Sequence, residues 1–151
     1  MDIIPGSYLG DVHAAILRQH AEIRARLRAL DAGVASSPLA AVYLRVSLFR
    51  LAILMESHLQ FEELELAPRI RDLDAWGSVR EAAMLTEHAE QRARLEHVCF
   101  LAESESSDEM ELAREASWLV VSLLEDMARE ECELTELERL GTEGLLDQMT
   151  G

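Results

Sequence analysis

Four long segments of this chain repeat apolar residues at alternating spacings of three and four, and few folds admit that repeat. Residues so spaced fall on one side of an α-helix, because a turn takes about 3.6 residues. In the first segment the stripe is Leu9, His13, Ile16, His20, Ile23, Leu27 and Leu30. In the second it is Leu44, Leu48, Leu51, Met55, His58, Glu62 and Leu66, and in the third Met84, His88, Gln91, Leu95, Val98 and Ala102. The fourth reads Leu119, Leu123, Asp126, Glu130, Leu134 and Leu137. Strand-like alternation of β-branched residues is missing, so a sheet is not expected.

Local signals place the ends. The first helix is expected over residues 7–30, closed by Asp31-Ala32-Gly33. The second opens at Ser37-Pro38, a capping serine followed by a proline in the first turn, and runs to residue 67 with Pro68 beyond it. The third opens on the capping box Ser78-Val79-Arg80-Glu81 and runs to residue 102. The fourth opens on Ser106-Ser107-Asp108-Glu109 and runs to residue 140, where Gly141 is a plausible terminator. Short polar joints between four such helices imply an all-α, up-down-up-down antiparallel four-helix bundle, one domain over residues 1–151. Only three prolines and seven glycines interrupt the chain, at the ends and between the stripes.

The formal net charge of −15 repels nucleic acid and anionic membrane surfaces. The most apolar stretch, residues 44–55, is broken by Arg45 and Arg50, so no membrane span is expected. Cys99 and Cys132 are two isolated cysteines, outside any Cys-x-x-Cys pair, and are expected to be small buried residues. No leader is visible at the start, and a cytoplasmic protein with reduced thiols is expected.

What breaks the pattern is chemical. The stripes carry imidazoles and carboxylates where hydrocarbon belongs, and a charge taken out of water costs several kcal/mol unless paired or bound to metal. A single His on such a stripe is ordinarily a hydrogen-bonded core residue, and a single Glu near a helix end can reach solvent. The set is harder to explain that way, because its members share a level. Antiparallel neighbours meet at positions equidistant from their joint. The joint near residue 73 pairs His58 with His88 and Glu62 with Met84. The joint near residue 106 brings Asp126 and Glu130 within about two residues of those levels, roughly 3 Å along the axis. For the first helix, a joint near residue 34 or 35 reflects His58 closest to His13. His20 falls seven residues on, about 10 Å away, too far for one centre to take both.

His58 and Glu62 lie one turn apart on one face, and Asp126 and Glu130 repeat that spacing. Imidazole nitrogens with carboxylates bridging across a bundle suit a pair of divalent ions, iron or manganese, with zinc also accepting these donors. Glu63 and Glu131, each beside a stripe Glu, are read as outer groups, and His97 as lying off the face.

His58-Leu59-Gln60-Phe61-Glu62-Glu63, then His88, then the stretch from Asp126 to Glu130-Glu131 together resemble the hemerythrin-like HHE cation-binding family. The segment Ile16-Leu17-Arg18-Gln19-His20-Ala21-Glu22-Ile23-Arg24 resembles that family's first-helix motif. The resemblance implies a bundle holding two iron ions as a non-haem di-iron centre, with His58 and His88 as terminal ligands and Glu62 and Glu130 as bridges. It implies a small diatomic or peroxide ligand. For the first helix it favours His20, whereas reflection favours His13; His13 leads and both remain candidates. The chain departs from the family at Asp126, where a His is usual, and at Arg92, where a second third-helix His is usual. Those departures weigh against reversible dioxygen carriage and towards oxidase, peroxidase or iron-handling chemistry.

Overall fold

The computed structural model describes residues 5–34, 40–104 and 108–150. These residues are all-helical and pack as a helical bundle, with no strand among them. Helix α1 is Pro5–Val34 and α2 is Ala40–Phe61. A π-helical turn, Glu62–Leu66, continues α2 into the short α3, Ala67–Arg71. Helix α4 is Gly77–Glu103 and α5 is Glu109–Thr150. Helix α1 packs against α2 and α5, α2 and α3 pack against α4, and α4 packs against α5, which closes a ring of four rods.

The rods overrun the expected boundaries. Helix α1 continues to Val34 through Gly33, which keeps a negative φ. The second rod runs four residues past the expected end, because Pro68 sits in the opening turn of α3, where its missing N–H is no loss. In the π turn before it the Ala67 N–H bonds back to the Glu62 carbonyl, five residues away. Such turns are rare and are frequently found at functional sites. Helix α5 continues through Gly141 to Thr150, so Gly141 does not end it.

The joint between α3 and α4 is built on Asp74, whose Oδ1 accepts from the Trp76 N–H at 2.8 Å and from Arg80 at 2.7 Å. Ser78 makes no cap there; the helix already begins at Gly77. A Cβ on Gly77 would lie 2.1 Å from the Arg71 carbonyl oxygen, so only glycine allows this close approach. At α5, Asp108 caps the helix by accepting from the Met110 N–H at 3.0 Å. The serine caps expected at residues 37, 106 and 107 lie outside the described residues.

The core divides in two. One cluster includes Ile23, Leu27, Leu48, Leu51, Met55, Leu95, Leu119 and Leu123. The other holds Leu9, Val12, Ile16, Leu66, Ile70, Leu134 and Leu137. Each buried aliphatic side chain contributes about 1.5–3 kcal/mol. Between the clusters lies a layer of buried polar groups: His20, His58, Glu62 and His88. Among the described residues, no helix is long and apolar enough to cross a membrane.

Candidate metal centre

Four rods each send a side chain into the polar layer. Helix α1 supplies His20, α2 supplies His58, the π turn opens on Glu62, α4 supplies His88 and α5 supplies Glu130. One ligand atom from each of His20, His58, Glu62 and Glu130 falls within 4.8 Å of the others. The imidazole Nε2 atoms all face inward. His20 Nε2 lies 3.2 Å from His58 Nε2 and 3.3 Å from Glu130 Oε2. Glu62 stands between two histidines, with Oε1 3.1 Å from His58 Nε2 and Oε2 3.0 Å from His88 Nε2.

The outward-facing nitrogens fix the protonation. His20 Nδ1 lies 2.9 Å from Glu131 Oε1, His58 Nδ1 2.8 Å from Gln19 Oε1, and His88 Nδ1 3.0 Å from Glu63 Oε1. Glu131 also takes Arg24 at 2.6 Å, and Glu63 takes Arg92 at 2.6 Å. Those guanidiniums hold both carboxyls below the usual carboxylate range. Ionised carboxylates only accept, so Nδ1 of His20 and of His88 carries the proton; His58 Nδ1 faces the Gln19 amide oxygen, which also accepts, and each Nε2 then presents a lone pair to the centre. This explains why the Glu62 oxygens, though close to two imidazoles, accept a hydrogen bond from neither. It also sets lone pair against lone pair between His20 and His58, a contact that a cation relieves. Two nitrogens bound to one ion at about 2.1 Å and roughly a right angle would sit about 3 Å apart. The donor set therefore fits a metal ion.

Electrostatics agree. Burial, and then the Glu130 charge, drives Glu62 far above the ordinary carboxylate range. Burial also presses on Glu130, but the neighbouring His20 imidazole and the proton held by Glu62 outweigh that and hold it low. The two carboxyls thus retain a proton where a cation would let both ionise. Burial pushes His58 down to about 4, leaving a neutral imidazole ready to ligate.

Two of the sequence candidates lie elsewhere. His13 bonds Glu138 Oε2 at 2.6 Å and takes no part in the cluster. The reflection that favoured it set the first joint near residue 34 or 35, but α1 is itself still helical at Val34. The true centre lies later, which moves the level of His58 along α1 towards His20. Asp126 turns aside: Arg94 donates to it at 2.7 Å, Arg129 at 3.1 Å and Gln91 at 3.2 Å. Charge pairing across to α4 directs that side chain, and helical position alone does not reveal it. His97 is exposed, and Cys132, expected inside, is exposed as well. Gln19, Arg24 and Arg92 were not singled out from sequence as supports of the site. Their signal is spacing: Gln19 precedes His20, and Arg24 and Arg92 each stand one turn, four residues, beyond a ligand-type His.

Comparison with protein-family models, with curated proteins and with solved structures finds no match for this chain.

Proposed function

We propose that this chain is a hemerythrin-like non-haem iron protein, an up-down-up-down bundle that binds or reduces dioxygen, a related diatomic gas or a peroxide. The observation that carries the reading is the buried Glu62 carboxylate, whose two oxygens face different imidazoles while neither accepts a hydrogen bond. A carboxylate so placed suits a bridge between two ions. His20, His58 and Glu130 would hold one, His88 would hold the other, and Glu62 would touch both. Iron bound there supplies one-electron redox chemistry towards small oxidants. The chain's own residues orient the imidazoles through Glu63, Glu131 and Gln19, and offset the positive charge with Glu62 and Glu130.

Anaerobic reconstitution with Fe(II), followed by metal analysis and Mössbauer spectroscopy, tests this. About two irons per chain is the expected result for a bridged centre. Rapid turnover on mixing with dioxygen or peroxide marks an enzyme, and slow stoichiometric oxidation marks a sensor or store. A second reading, a single ion, is favoured by one observation: Asp126 is committed to Arg94 and Arg129, and His20, His58, Glu62 and Glu130 already surround one point. One iron per chain selects that reading, and none rejects both.

A further inference from the structure

A cavity of about 540 Å³ opens between α4 and α5 and ends on the metal-centre residues His88 and Glu130. Much of its lining is hydrocarbon, from Leu66, Ile70, Met84, Leu134 and Leu137. A diatomic ligand does not call for this space. A water molecule occupies about 30 Å³, and cavities of roughly 300–1,000 Å³ enclose whole organic molecules. Polar groups gather at the inner end, where His88, Gln91 and Glu130 meet the layer described above. The outer lining carries Glu87 and Glu133, both paired with Arg129, and Glu136, paired with Arg139; its one arginine among the described residues, Arg80, is bonded to Asp74 at 2.7 Å. With these pairs made, the lining offers an anion no free arginine among the described residues, and the chain's net charge of −15 repels it.

We propose that this cavity binds an uncharged organic molecule with an apolar body and one oxygen-bearing polar end, of the alcohol, aldehyde or alkyl hydroperoxide class, with the polar end against His88 and Glu130. The proposal deepens the metal-centre reading by naming what reaches that centre. Binding in the cavity and metal uptake are measured separately, so the two readings fail separately.

The probe is 1-octanol, with octanoate as its anionic counterpart, titrated by NMR into the full-length chain with and without zinc. Saturable binding of one octanol per chain that moves the His88 imidazole signals is expected. Octanoate should bind at least about tenfold more weakly, the effect of roughly 1.4 kcal/mol of charge repulsion. Met84→Trp, which puts a bulky ring in the wall without touching a ligand-type residue, should weaken octanol about tenfold or more while metal content is unchanged. Ala83→Phe, at a solvent-facing lining position, repeats the test if the tryptophan variant misfolds. Octanol that fails to saturate on a chain that still takes up metal overturns the proposal. Equal affinity for octanoate overturns the uncharged class. Octanol binding by a chain that takes no metal upholds the cavity and rejects the metal-centre reading.

Discussion

Glu62 is the residue on which the site turns. In the metal-free chain it is pushed up to about 11, by burial first and then by Glu130. A raised carboxyl keeps a proton that the unfolded chain releases, so its stabilising contribution is complete below pH 4.5 and is lost as pH climbs towards 11. His58, pushed down to about 4 by burial, contributes above pH 6.5 and loses that contribution as pH falls to about 4. Between pH 4.5 and 6.5 the two slopes oppose each other. Above that window, metal-free stability is expected to fall by as much as about 1.4 kcal/mol per pH unit, the value for one proton. Urea denaturation from pH 6 to 9 checks this; Glu62→Gln should flatten the slope and abolish metal binding. The outer carboxylates act at one remove. Glu63→Ala or Glu131→Ala should weaken metal about 10–100-fold, because the imidazoles lose the acceptors that orient them. Asp126→Asn should leave metal affinity unchanged in the same chelator competition. Stripe arithmetic picked out His58, Glu62, His88 and Glu130 as residues out of place in hydrocarbon. It separated neither His13 from His20 nor Asp126 from the ligand-type groups. The first distinction depends on where a joint is centred to within a residue or two, and the second on two arginines that draw a side chain sideways.

Helices were legible as helices because period and composition agree over many turns; their ends and their one irregularity were not. The π turn at Glu62–Leu66 leaves the apolar stripe intact on either side, so periodicity reads through it. Gly141 looked like a terminator because glycine signals either a left-handed residue or a close contact, and sequence does not say which. Here it is helical, and a Cβ would meet Leu73 at 3.6 Å and Leu9 at 3.9 Å, ordinary packing distances. Gly141→Ala is therefore expected to stabilise the fold by about 0.5–1 kcal/mol through the lost flexibility of the unfolded chain. The same substitution at Gly77 drives a methyl into the Arg71 and Ile70 carbonyls and should cost about 1–3 kcal/mol. Thermal melts of the two variants should move in opposite directions.

At the scale of the molecule, an acidic chain surrounds a site that needs positive charge. A metal that binds only the folded form, present at about 100 times its dissociation constant, adds about 2.7 kcal/mol. For a chain of this size that is a rise of roughly 5–10 °C in melting temperature, reversed by chelator. Differential scanning calorimetry with zinc or anaerobic Fe(II) measures it.

The layer of histidines and glutamates also divides the hydrocarbon interior into two blocks, one around Leu48 and Leu119 and one around Ile16 and Leu134. Without a cation that layer is a seam of poorly reconciled dipoles; with one it becomes a crosspiece pinned to every rod. Amide hydrogen exchange in the metal-free chain should accordingly sort into two cooperative units with separate opening energies. Loading the centre should merge them, so that α1 and α5 exchange at one rate along the length that spans both blocks.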